Sequence, residues 1–269
     1  LEKYLINPGE TIKTEFDYDK NEINTEMLLE AWTIDFISKK GFEGEKYNYV
    51  THQVIASPFK PLAYIDKMDI FAYRYLEEYP DLEKPIEKYM VIELKKGKAT
   101  RNFPLQLMRY VDWISKEYAA GDYSLIKAVG IAKGYPKGMQ KIIDEQCNRS
   151  YLSDLHPNIT SQWNDLSLYE YFMDKGNQLR IRKSNIFDPI LELKERFSNI
   201  GLKYNNGKIR INGGVYSPKF KVQSQKWAFF ERIDEEEKNV LSKNGWTVID
   251  VSKIKNRVEV NQLILELFR

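Results

Sequence analysis

Cysteine and histidine are almost absent from this chain. Its 269 residues hold one cysteine, Cys147, and two histidines, His52 and His156. A single thiol excludes a disulfide framework and any zinc site built on thiolates. Two histidines so far apart in sequence give no basis for a His-based metal centre. Any metal here would be held by oxygen ligands, a set that suits magnesium, with manganese as a substitute. Long apolar runs are missing too. There is no stretch of about 18 apolar residues and no signal-peptide pattern, so a soluble, cytoplasmic protein without a membrane partner is expected. No Gly-x-x-x-x-Gly-Lys-Ser/Thr loop is present, so no nucleotide cofactor is expected and any motor would be another polypeptide. Internal repeats and low-complexity tracts are lacking. The chain begins at Leu1 rather than Met, which leaves room for residues upstream.

What is present is enough to build a core. Hydrophobic residues make up 42% of the chain and aromatics 13%, sufficient for one large domain or two smaller ones. Net charge is only +2, but its distribution is uneven. From Arg196 to Phe230 there is no Asp or Glu. That stretch carries Lys203, Lys208, Arg210, Lys219 and Lys221, interleaved with Phe197, Tyr204, Tyr216, Phe220, Trp227, Phe229 and Phe230. Lysine and arginine neutralise phosphates, and aromatic rings can stack on bases. Strands with aromatic inward faces and basic outward faces would give the same pattern.

The order of elements is α/β. Asn24-Thr25 precedes a helical pattern that stops at Gly41. Strands are expected at residues 47–56, 65–73 and 88–95, then a helix from Phe103 to Tyr118, a strand over 124–132 and a helix from Pro136 to Cys147. Residues 166–173 and 178–183 read as a strand pair. Asp188-Pro189 caps a helix to about Asn199. Asn205-Asn206-Gly207 and Asn212-Gly213-Gly214 are turns between short strands, followed by helix, strand and closing helix. A boundary is expected near residues 148–162, dividing a domain at 1–150 from an α+β region at 160–269.

The chemistry concentrates in Val91-Ile92-Glu93-Leu94-Lys95. In a strand, Glu93 and Lys95 emerge on one face, with Leu94 on the other. A carboxylate beside an ammonium can hold a divalent cation and steady an activated water. Asp69 opens a short apolar run upstream, with Asp66 as a rival three residues earlier. Downstream, Gln106 and Tyr110 stand four apart on the expected helix and so share a face.

Asp, then Glu-x-Lys, then Gln-x-x-x-Tyr resembles the PD-(D/E)XK phosphodiesterase superfamily. It is most similar to the branch of RecB-type and mismatch-cleaving nucleases, over residues 22–133. Two features depart from that pattern: Met68 stands where a Pro is usual, and an acidic, Pro-bearing insert runs from Glu77 to Glu87. The resemblance implies a restriction-endonuclease-like core, a mixed central sheet flanked by helices, with the C-terminal α+β region supplying DNA binding or dimer contacts. It implies a magnesium-dependent DNA endonuclease. A non-catalytic nucleic-acid-binding protein on a nuclease-like fold, or an exonuclease or RNA nuclease subunit, is the alternative. Asp69 and Glu93 would be the metal ligands. Lys95, Gln106 and Tyr110 would complete the site, with Glu26, narrowly preferred to Glu30, as a further acid. Lys96, Lys98 and Arg101 would join Lys203, Lys208, Arg210, Lys219 and Lys221 on the nucleic acid, and Arg109 also lies near the site.

Glu192-Leu193-Lys194 repeats the Glu-x-Lys spacing, but in a helical pattern. On a helix, residues i and i+2 diverge by about 200°, so this copy belongs to a solvated face.

Overall fold

The computed structural model describes residues 7–56, 66–76, 84–155 and 157–269. His156, Ile65 and most of the acidic insert expected from Glu77 to Glu87 lie outside the described residues. Two compact units divide between Ser184 and Asn185. No helix among the described residues is long and apolar enough to cross a membrane.

The first unit opens with α1 (Pro8–Thr14), the short strands β1 (Phe16–Asp17) and β2 (Glu22–Ile23), and α2 (Glu26–Lys40). The strands β3 (Tyr49–Ile55), β4 (Lys67–Tyr75) and β5 (Ile86–Lys98) follow, then α3 (Phe103–Glu117) and β6 (Ile126–Gly134). After α4 (Met139–Gln146) come β7 (Arg149–Leu155), β8 (Asn158–Trp163), β9 (Leu166–Met173) and β10 (Leu179–Lys183). One sheet has the order β10-β9-β6-β5-β4-β3. It is mixed: β5, β6 and β9 run parallel, and the outer pairs are antiparallel.

The apolar run Tyr89–Ile92 of β5, resumed at Leu94, explains its central place. Tyr89 to Leu94 are all buried, as a strand covered on both faces requires. Leu29, Trp32 and Ile37 of α2 pack in one core cluster with Ile70, Ala72, Met90, Ile92 and Leu94. α2 starts at Thr25, whose hydroxyl accepts from Leu28 N, and ends at Gly41, φ 73°. A Cβ at Gly41 would stand 2.2 Å from the Glu45 carbonyl oxygen, so the chain turns there only with glycine.

The other face carries α3. Gly130 of β6 is the register partner of Glu93 and lies beneath Phe103, the first residue of α3. A Cβ there would meet Phe103 at 2.5 Å and Leu168 at 2.6 Å. The missing side chain therefore lets α3 sit close to the sheet beside Glu93. Gly130→Ala should lift α3 and lower stability by about 1–3 kcal/mol, the usual cost of overpacking. Chemical denaturation checks this; an unchanged midpoint would mean that both neighbours give way freely.

The division at Ser184 corrects the expected boundary. Residues 148–162 form most of the β7–β8 hairpin, and β9 and β10 complete the large sheet instead of joining the C-terminal region. The strands of that hairpin are largely polar and exposed, which gave them the look of a linker.

The second unit consists of α5 (Pro189–Asn199), the hairpin β11 (Ile209–Ile211) and β12 (Gly214–Tyr216), β13 (Phe220–Val222), β14 (Trp227–Phe230), α6 (Glu235–Lys243), β15 (Thr247–Asp250) and α7 (Arg257–Leu267). β13 and β14 are antiparallel, and β15 lies parallel to β14. Leu193, Phe197, Phe220, Trp227, Phe229 and Val260 form its main core, with the Phe220 and Phe229 rings stacked at 4.3 Å. Asn212 (φ 49°) and Gly213 (φ 81°) make the β11–β12 turn, the chemistry expected of an Asn-Gly hairpin.

Candidate active site

The ladder between β4 and β5 ends at Ile70 opposite Ile92. One residue beyond on each strand stand Asp69 and Glu93. The Asp69 carboxylate replaces the lost ladder bond: Oδ2 accepts from Leu94 N at 2.8 Å. Glu93 is 3% exposed. Its Oε1 accepts from Gln106 Nε2 at 2.5 Å, while its Oε2 is buried without a hydrogen-bond partner. The Gln106 amide also donates to Tyr110 Oη at 3.4 Å. Three elements thus meet: the start of β4, the middle of β5 and the first turns of α3.

The electrostatics of this corner are unfavourable to two bare carboxylates. Burial first, then the charge of Asp69, pushes the Glu93 carboxyl up to about 9. Asp69 is raised to about 6, again mainly by burial, with Glu26 and Glu30 adding to it and the Leu94 N–H opposing it. Burial and the nearby Glu93 push the Tyr110 phenol up to about 12, so it stays protonated and able to donate.

Lys95 and Glu26 form an ion pair at 3.2 Å. The second oxygen of Glu26 accepts from Lys96 N at 3.1 Å, so Glu26 clamps the outgoing end of β5. Glu30, one turn along α2, is nearly buried and adds its charge to the field on Asp69. It is held from the other side by His52 Nδ1 at 2.7 Å and by Gln53 Nε2 at 3.2 Å. Gln53 sits at φ 52° within β3, a left-handed conformation rare for such a residue. Sequence reasoning missed this clamp. The i, i+4 spacing of Glu26 and Glu30 hinted at it, but a positive φ at a glutamine leaves no sequence signal.

The expected residues therefore fall into groups. Asp69, Glu93, Gln106 and Tyr110 form one contiguous set, with Lys95 and Glu26 paired at its edge. Asp66, the rival of Asp69, lies 4.0 Å from Arg109. Lys96, Lys98 and Arg101 are exposed around the same end of β5 and the start of α3. Glu192, of the second Glu-x-Lys, pairs with Arg196 and Arg257 on α5 and α7, as a helix face would have it.

In the second unit, Lys203, Lys208, Arg210 and Lys219 are exposed. Lys221 is half-buried, its ammonium over the Trp246 ring and bonded to the Lys208 carbonyl. Phe197, Phe220, Trp227, Phe229 and Phe230 are core residues. This corrects the expectation that these rings could stack on bases: their burial against each other leaves no free ring face.

No family model and no curated protein matches the chain. Among solved structures, a repair endonuclease from Pyrococcus abyssi is similar over 44% of this chain and 43% of its own length, at 20% identity and a TM-score of 0.30. The matched region is thus under half of either chain.

Among the described residues no three His, Cys, Asp or Glu side chains gather as a metal-holding group. The candidate centre is the pair Asp69 and Glu93. Magnesium keeps several waters and is often bound through one or two carboxylates, so a pair is sufficient for it.

Proposed function

We propose that the chain is a magnesium-dependent DNA endonuclease of the PD-(D/E)XK type, acting in the cytoplasm, with Asp69, Glu93 and Lys95 at its centre. The observation that carries this reading is the buried carboxylate pair on neighbouring strands, with an unsatisfied oxygen on Glu93. Two raised carboxyls and a partnerless oxygen fit a divalent cation, whose charge would favour the ionised forms. Asp69 and Glu93 would hold it. Bound there, it would lower the pKa of a water and offset charge on the phosphorus.

The chain's own residues do the remaining work. Gln106 fixes Glu93 through Oε1 and leaves Oε2 for the cation. Tyr110 receives the amide and keeps it turned toward Glu93. Lys95, released from Glu26 when a phosphate arrives, orients the attacking water or steadies charge on the phosphate. Glu26 and Glu30 set the field around Asp69. Lys96, Lys98 and Arg101 contact the DNA backbone near the cut; Lys203, Lys208, Arg210, Lys219 and Lys221 of the second unit also contact nucleic acid.

Incubating supercoiled plasmid and linear duplex with the protein, in magnesium, in manganese and in chelator, tests the reading. Nicked or linear plasmid with metal only is the expected result. Binding without cleavage under all conditions would replace it with a non-catalytic nucleic-acid-binding protein. Digestion of linear DNA from its ends alone would make it an exonuclease.

Gln106→Ala and Tyr110→Phe should be slow but measurable nucleases. Groups that orient a metal ligand typically contribute about 10–100-fold to activity or metal affinity. Single-turnover cleavage together with unfolding midpoints separates this from packing. If Tyr110→Phe melts several degrees lower with activity intact, its hydroxyl serves the core.

A further inference from the structure

A row of aromatic rings leads away from the candidate site on the same face of the large sheet. Asp69, Phe71, Tyr73 and Tyr75 alternate along β4 and so share a face, and Tyr89 and Glu93 share the matching face of β5. Tyr73 stands opposite Tyr89 on one side and Tyr49 of β3 on the other. The Tyr49 and Tyr73 rings stack at 4.8 Å, 16° from parallel, and Tyr75 meets Tyr73 edge-on at 5.4 Å. Phe71 lies 6.3 Å from Tyr73, 5.9 Å from Tyr89 and 5.5 Å from Tyr118, the residue that ends α3.

Unlike the rings of the second unit, these are not all locked in a core. α3 packs over β5 and β6 on this face. Beyond it Tyr49 is 45% exposed and Tyr118 46%, while Tyr73 and Tyr75 are half-buried. One face of Tyr49 is taken by Tyr73, which leaves the other face open. Phe71 and Tyr89 are buried and anchor the row. The Tyr75 hydroxyl, with burial adding to it, pushes the Tyr73 phenol up to about 12, so that ring stays uncharged at neutral pH and does not repel a phosphate.

We infer that Tyr49, Tyr73 and Tyr118 form a stacking platform for the unpaired bases of a nucleic-acid strand, so that the substrate carries a single-stranded segment beside the phosphate held at Asp69 and Glu93. Continuity with the site selects this occupant. Asp69 and Tyr73 are four residues apart on β4, about 13 Å at the rise of a strand. A strand with its phosphate at the carboxylates therefore brings neighbouring bases over the rings. Every base has a π-face, so stacking on tyrosine tolerates any sequence. In a duplex those faces are already covered by the bases above and below. An open aromatic face thus favours unpaired bases over paired ones, whereas exposed lysines and arginines attract both.

The inference rests on the nuclease reading for the place of the phosphate, and its test reads binding, not cleavage. Anisotropy of a fluorescent single-stranded oligonucleotide, and of the matching blunt duplex, would be followed as the full chain is added in chelator at several salt concentrations. The wild type should bind the single strand more tightly. Tyr49→Ala/Tyr118→Ala should weaken single-strand binding by about 5- to 150-fold for each stacked base lost, with little change on the duplex. The slope of log affinity against log salt should stay the same, because no phosphate contact is removed. Tyr49→Phe/Tyr118→Phe keeps both rings and should retain the binding. Unchanged single-strand affinity in the alanine variant, at an unchanged melting temperature, would overturn the proposal and leave the face to a protein partner. Equal losses on single strand and duplex would overturn it as well. An alanine variant that melts early would be replaced by Tyr49→Leu/Tyr118→Leu, read by the same criteria. If the wild type never cleaves DNA yet the alanine variant loses the single strand, the nuclease reading falls and the platform stands. If plasmid is cut and the alanine variant binds single strands like wild type, the platform falls and the nuclease reading stands.

Discussion

Asp69→Asn and Glu93→Gln should each leave a folded protein whose DNA cleavage falls below detection. Both substitutions keep shape and hydrogen-bonding capacity. An Asn amide oxygen can still accept from Leu94 N, where the Asp69 carboxylate sits at 2.8 Å. What is lost is the negative charge, and with it the cation that would stabilise the developing charge on the phosphate. Removing one preorganised electrostatic group already costs about 10²–10³ in rate, and losing the cation removes several such interactions together. Lys95→Ala should fall nearly as far. Glu192→Ala is the matched control: it has the same Glu-x-Lys spacing but lies on α5 against Arg196 and Arg257, so it should cleave normally. Plasmid cleavage, with circular dichroism to establish folding, reads all four variants. Full activity in Glu93→Gln would remove Glu93 from the chemistry.

Why does the sequence place so much of this candidate site? Its key spacing is short and its elements are strongly patterned. The apolar run from Tyr89 to Ile92 reads as a strand, and in a strand Glu93 and Lys95 share one face. The i, i+4 spacing of Gln106 and Tyr110 survives on α3 because a helix starts at Phe103 with Pro104 in its first turn. Other features depended on tertiary packing. The hold of His52 and Gln53 on Glu30 joins residues 22 and 23 positions apart. The close packing of Phe103 and Leu168 over Gly130 leaves no signal in the sequence. The domain boundary was misplaced because a polar hairpin resembles a linker, while the pairing of β9 with β6 crosses it invisibly. The rings of the C-terminal segment misled for a related reason: alternation of basic and aromatic residues is the pattern of a nucleic-acid face, but also of a strand buried on one side.

The metal-free protein should lose stability as pH rises from about 5 to about 9, and magnesium should restore it. The sign follows from the raised carboxyls. Glu93 titrates in the folded state at about 9 against an ordinary 4.5, and Asp69 at about 6 against 3.8. Between the ordinary and the raised values the folded protein holds protons that the unfolded chain has released. Stability therefore falls with increasing pH through that window, first as Asp69 and then as Glu93 departs from its unfolded behaviour. Below the ordinary carboxylate range both states are protonated and this penalty vanishes. A cation between the two groups reverses the preference by favouring their ionised forms. At a hundredfold excess over its Kd it would add about 2.7 kcal/mol. Glu93→Gln has no proton to lose at that position. Its melting temperature without metal should fall less steeply than wild type across the same range, ending higher near pH 9, and should respond little to magnesium. Thermal melts of both proteins, with chelator and with magnesium at several pH values, decide the matter. Parallel profiles for the two would mean that Glu93 is neither strained by Asp69 nor relieved by a cation, and the metal centre would have to be sought elsewhere.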